Sequence, residues 1–258
     1  MPTMKAVWPT GWRAWAWALA LVLAWDATSG DLVVARLFGD AGGFAARNAF
    51  WSEQLLHNGL RWLSGAAVVW MLFDLWRPLR PHDGPTRGER AWALAGTVLA
   101  LLVVPALKSQ STTSCPWSLS EFGGVAAWMS HWDWGRNDGG PGHCFPSGHA
   151  VGSFAFFGLV WLWRGVPQVQ RRILLAVLAA GLLGSLAQWA RGAHFVSHSL
   201  WAALACAALT AAWQALGARW RQRRAAAGGL SAASTDRAAP PPPAGAPVRA
   251  WASDAATP

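Results

Sequence analysis

Apolar residues run along this chain in long blocks, not in the alternation of a strand. Six blocks are predicted to be helices that cross a bilayer, at about 14–34, 62–76, 91–107, 147–163, 173–190 and 195–216. A span needs about 20 residues, with about 17 as the lower limit. The second block is short and carries Asp74, so it is the least regular of the six. The first block is too long for a signal-peptide core and no clear small-residue cleavage site follows it, so it is read as a retained span. Nothing predicts a sheet. The expected fold is therefore all-α, a polytopic membrane helix bundle with about six transmembrane helices.

Composition agrees with a lipid solvent. The chain of 258 residues is 53% hydrophobic and 13% charged, with 21 Trp and no Tyr. Trp suits the boundary where one edge of a side chain is apolar and the other wet. The net charge of +9 would suggest nucleic acid only if the basic residues formed one patch. Instead they collect in alternate connections. Lys5 and Arg13 precede the first block, Arg77 to Arg90 separate the second and third, Arg164 to Arg172 separate the fourth and fifth, and a basic run from Arg219 follows the sixth. With alternating spans these all fall on one side, which the positive-inside rule makes cytoplasmic. Both termini are then inside. No nucleic-acid partner is expected; the partners are membrane lipids. Three regions follow: membrane helices and an interfacial segment at 1–90, a core at 91–217, and a tail at 218–258. The tail's "AAPPPPAGAP" is expected to be disordered.

This topology puts the candidate chemistry on the opposite, non-cytoplasmic face. Lys108 ends the third block. "CFPSGHA" leads into the fourth, and "ARGAHFVSHS" joins the fifth and sixth. In Pro146-Ser147-Gly148-His149 the proline favours a helix start. Ser147 and Gly148 then offer a hydroxyl and free backbone N–H groups at a helix N-terminus, which attracts phosphate. His149 lies in the same turn. The 45 residues from His149 to His194 fit two crossings and a short basic loop, so both histidines return to one level with Lys108, Arg191 and His198. Two histidines four apart also suggest zinc, with His149, His143 or Asp133 as a third ligand. The glutamate of the HExxH pattern is missing, however.

These residues resemble the type 2 phosphatidic acid phosphatase and vanadium-dependent haloperoxidase superfamily. Its pattern is Lys, six residues, Arg-Pro; then Pro-Ser-Gly-His; then Ser-Arg, five residues, His, three residues, Asp. The middle element matches in full. In the first, Lys108 is present but Cys115 stands where arginine is expected. In the third, His194 is present, His198 replaces the aspartate, and Ala187 and Gln188 replace Ser-Arg. The resemblance covers about 91–216.

It implies a lipid phosphatase with His194 as nucleophile and His149 as acid and base. Lys108, Ser147, Gly148, Gln188 and Arg191 would hold the phosphate, and His198 would orient His194. No cofactor or metal is called for. Lipid-to-lipid phosphoryl transfer and non-catalytic lipid-phosphate binding or transport stay open as alternatives. The implied setting is a bacterial inner membrane with the site facing the periplasm. That oxidising compartment permits a disulfide, and the two loops carrying Cys115 and Cys144 converge on the inferred site, so these two are expected to pair. Cys206 is read as a packed apolar residue. His57, in "WSEQLLHNGLRW", is assigned to an amphipathic interfacial segment, and "HWDWGRNDGGPG" to a plain loop.

Overall fold

The computed structural model describes residues 11–80, 84–133 and 135–237, with 227–237 described by backbone alone. The described chain is mostly helical. It opens with α1 (Trp12–Asp26) and α2 (Gly30–Arg36), then a two-residue antiparallel pair, β1 (Gly39–Asp40) with β2 (Gly43–Phe44). A π-helical segment (Trp51–Asn58) runs directly into α3 (Gly59–Asp74). After α4 (Arg87–Lys108) comes a long connection, then α5 (Gly148–Phe154), α6 (Phe157–Leu162), α7 (Pro167–Ala190) and α8 (Val196–Arg237).

Among the described residues, three helices are long and apolar enough to cross a membrane: α4, α7 and the stretch Val196–Ala226 of α8. They mark the chain as a membrane protein. The first expected span is two helices, α1 and α2, bent by 63°, and counts as a fourth if the pair is one crossing. The fourth expected span is broken into α5 and α6, a shorter apolar stretch over Gly148–Leu162. The second is α3, at 16 residues too short on its own. The π-helical segment lengthens this helical run on its N-terminal side.

Local signals explain the helix limits. Thr86 and Glu89 form a reciprocal capping box at the start of α4, satisfying two of its free N–H groups. Pro167 opens α7, where a missing N–H costs nothing. The Asp31 carboxylate accepts from Ser197 N at 2.9 Å and from the Ser197 hydroxyl, so α2 caps the first turn of α8. Asp74 forms a 2.9 Å ion pair with Arg90, and both are buried. A carboxylate can end α3 because the first turn of α4 supplies its counter-charge.

The chain divides into two units, Met1–Gln214 and Ala215–Pro258. In the first, Ala100 and Val104 of α4, Val151 of α5, Val160 of α6 and Ala202 and Cys206 of α8 are fully buried together. Gly181 of α7 is where the Phe154 ring packs; a Cβ there would overlap it. A smaller cluster of Phe44, Leu119, Phe122 and Phe195 anchors the long connection. Trp17, Trp62 and Leu182 remain exposed, as side chains facing acyl chains would be. In the second unit the Arg224 guanidinium sits 4.1 Å over the Trp220 ring. The helix continues to Arg237, past the end of the apolar pattern, and the proline-rich part of the expected tail lies outside the described residues.

Candidate functional site

The 109–146 connection is stitched by one buried carboxylate. Asp138 accepts from Ser114 N at 2.6 Å, Ser114 Oγ at 2.9 Å and Gly140 N at 2.9 Å. Its two arms then run side by side, with Cys144 N donating to Thr113 O at 3.0 Å. A disulfide joins Cys115 to Cys144, with Cα atoms 5.2 Å apart. One arm touches the turn between α7 and α8, with Trp117 N donating to Gly192 O, and the other ends at the first turn of α8, with Ser147 N donating to His198 O. Gly192 has φ +69, and a Cβ there would overlap the Phe44 ring. These ties bring the three sequence segments together.

Lys108, at the last turn of α4, lies against Gly148; its Nζ is 3.9 Å from where a Cβ on that glycine would sit. Absence of a side chain at Gly148 leaves the ammonium next to the first turn of α5. Ser147 is the N-cap of α5 and its Oγ accepts from Ala150 N at 3.3 Å. His149 follows, with its ring 5.9 Å from that of His194. His194 stands outside both helices, in the break between α7 and α8, and His198 lies in the first turn of α8. The pair therefore does not share one helix face. Their rings are nonetheless 5.7 Å apart and edge to face.

The partners of these two rings differ from the family pattern. His194 Nδ1 faces Cys144 Sγ at 3.5 Å, and no hydrogen bond joins it to His198. Both ring nitrogens of His198 are buried without a hydrogen-bond partner. Cys144 Sγ and one nitrogen each of His194 and His198 lie within 4.8 Å of one another. A metal would want a thiolate there, and the disulfide removes it, leaving two imidazoles. Burial, and after it the neighbouring His198, His149 and Lys108, holds the His194 imidazole well below the ordinary histidine range.

A cleft of about 440 Å³ opens beside His149 and Gly148. Gln188 lines it, as do His57 and Arg61 from the π-helical segment and α3. His57 is a site residue that its sequence context concealed. Its ring lies 4.1 Å from that of His149, and its Nδ1 accepts from Gln188 Nε2 at 2.9 Å. Burial foremost, then Arg191, lowers its basicity. Arg61 is exposed on the cleft wall, with no acidic partner among the described residues.

Arg191 is placed differently. Its Nε donates to Arg47 O at 2.8 Å, Nη1 to Gln188 Oε1 at 3.5 Å, and Nη2 lies 3.8 Å from Glu53. It braces Gln188 and the N-terminal segment behind the cleft wall. His194 also does not line the cleft; its ring lies 5.9 Å from that of His149, which does.

The PAP2 superfamily profile matches residues 89–222, just over half of the chain. The chain belongs to the PAP2 superfamily. Membership implies phosphatase-type activity, and the match covers Lys108, the Pro-Ser-Gly-His element and His194 alike. No curated protein and no solved structure matched the chain. His57 and Arg61 on the cleft, and Arg47 and Glu53 that hold Arg191, come from N-terminal residues that the PAP2 match does not include.

Proposed function

We propose that the protein is an integral-membrane phosphatase that hydrolyses a lipid phosphomonoester or diphosphate through a phosphohistidine. The observation that carries this is the convergence of Lys108, Gly148, His149 and His194, from three segments of a PAP2 chain, beside one open cleft. Its neutral, buried imidazole suits His194 as the nucleophile. With Nδ1 turned to the disulfide, Nε2 is the nitrogen that attacks phosphorus. The P–O bond to the lipid breaks as His149 protonates the leaving oxygen. His149 then takes a proton from water, the water oxygen bonds to phosphorus and the P–N bond breaks. Lys108, the Gly148 N–H and the Ser147 hydroxyl offset charge on the phosphoryl oxygens. Arg61 and Gln188 complete the cradle from the cleft wall. His149 lines the cleft and His194 does not, so on this reading the phosphate passes the His149 ring to reach His194.

The setting belongs to the same reading. Six crossings, with the α1–α2 pair, α3 and the α5–α6 pair added to the three helices long enough alone, would put the site and the disulfide on the periplasmic face of an inner membrane. Lipid headgroups reach the cleft laterally. The test is purified protein presented with a panel of lipid phosphates and assayed for inorganic phosphate and for phosphorylated lipid products. Phosphate release supports hydrolysis. Product lipids without phosphate release would make the protein a phosphotransferase, and binding without turnover would make it a lipid-phosphate binder.

A further inference from the structure

His198 occupies the place where the family pattern has a carboxylate, and it is 1% exposed with neither ring nitrogen satisfied. A buried imidazole left this way is costly unless water or another polar group serves it. A small cavity of about 100 Å³ adjoins it, lined by Asp26, Asp31, Thr113, Ser130 and His131 among others. That is room for a few water molecules with ample polar partners. At its far side His131 Nε2 lies 3.3 Å from Asp26 Oδ2, and both side chains are nearly buried. The other carboxylate oxygen, Asp26 Oδ1, is buried without a partner. The rings of His131 and His198 are 6.0 Å apart, edge to face.

We propose that Asp26 and His131 restore the missing carboxylate, acting as the end of a relay through His198 to His194. The inference rests on the phosphatase reading and deepens it. Asp26 accepts the His131 Nε2 proton, which leaves His131 Nδ1 as an acceptor. Cavity water connects that nitrogen to a His198 N–H. On its other side, a His198 nitrogen lies within 4.8 Å of a His194 nitrogen or the sulfur beside it, a gap one water spans. When His194 bonds to phosphorus its ring becomes cationic. With Nε2 bonded to phosphorus that proton sits on Nδ1, beside the Cys144 sulfur; the bridging water carries it toward His198 and returns it when the P–N bond is hydrolysed, so no proton is lost or gained. Asp26 and His131 are positioning residues; they touch neither phosphate nor lipid.

The surroundings favour this direction. Asp26 is further held by Trp201 Nε1 at 2.7 Å and Trp132 Nε1 at 3.1 Å, which fixes the carboxylate on α1 against the loop and α8. His131 lies flat on Phe145 at 4.1 Å, two residues before Ser147, and Phe145 in turn packs on His198 at 5.3 Å. The charged and titratable groups facing the relay are Asp26 and Asp31 at the His131 end, and Lys108, His149 and His194 at the other. The acidic pair lies at one end and the cation at the other, the polarity a proton path from His194 needs.

The test uses the full chain in micelles with isotope-labelled histidine. Asp26→Asn keeps an oxygen for the two indoles and removes the charge. It should lower kcat by at least about tenfold with KM within about twofold, the pattern of a lost transition-state interaction. The acid limb of the kcat profile and the His198 ring nitrogen shifts should both move. His131→Asn should do the same, and the double variant should be no worse than His131→Asn. Unchanged kcat, or unchanged His198 shifts, in Asp26→Asn would overturn the relay. Failure of the phosphatase reading looks different: turnover absent in the wild type, or surviving in His194→Ala, sinks both.

Discussion

At the scale of single residues, the proposed mechanism divides the chemistry between His194 and His149. Replacing either with Ala should cut phosphate release by at least about a hundredfold, the low end for acid–base catalysis. The lowered basicity of His194 has a pH consequence with a definite sign. Folding suppresses its protonation while the unfolded chain titrates near 6.5, so the unfolded state binds more protons below that value. The stability linked to His194 is complete above about pH 6.5 and is lost as pH falls from there toward its folded value. Thermal unfolding in detergent should lose stability on going from pH 7.5 to 5.5, by at most about 1.4 kcal/mol per pH unit for this group. His194→Gln should flatten that slope; an unchanged slope would refute the assignment. Arg61 makes a separate forecast. Losing a charged hydrogen bond to phosphate costs about 1.5–3 kcal/mol, so Arg61→Ala should raise KM roughly ten- to hundredfold. An unchanged KM would remove Arg61 from the cradle.

At the scale of elements, the disulfide and the α7–α8 break decide where His194 points. The bridge closes a separation of 29 residues, worth about 3–4 kcal/mol in the chain-entropy account. Its sulfur also faces His194, the proposed nucleophile. Reduction, or Cys115→Ser with Cys144→Ser, should therefore lower both melting temperature and kcat; alkylatable thiols at both positions in protein from an oxidising compartment would contradict the bridge. How far this was legible in the sequence varied with how local the signal was. Pro146-Ser147-Gly148-His149 is contiguous, with each residue's task set by its place at a helix start, and it is found there. The span over 14–34 hid a 63° bend: the polar run "DATSGD" does interrupt the apolar block there, but a count of apolar residues over the whole stretch averages it away. His57 was hidden for another reason. Its partners Gln188 and His149 come from distant segments, and no spacing rule links a Trp-flanked interfacial stretch to them. From the sequence Arg191 is expected to hold the phosphate, but the sequence does not reveal that Glu53 and the Arg47 carbonyl claim its guanidinium.

At the scale of the whole molecule, most basic residues lie in connections that alternate with the site-bearing ones. Single cysteines placed at 118–130 should label with an impermeant reagent in outer-permeabilised cells, and cysteines at 77–90 should not. The reverse pattern would invert the topology. The central claim is the covalent intermediate, and trapping it tests that claim most directly. The purified chain would be mixed with a lipid carrying a radiolabelled phosphate, quenched in alkali within milliseconds, digested and mapped. The account predicts an acid-labile, alkali-stable label on the peptide containing His194, lost in His194→Ala and untouched by chelators. Label on another residue, or turnover with no label and with loss of activity on chelation that zinc restores, would contradict it.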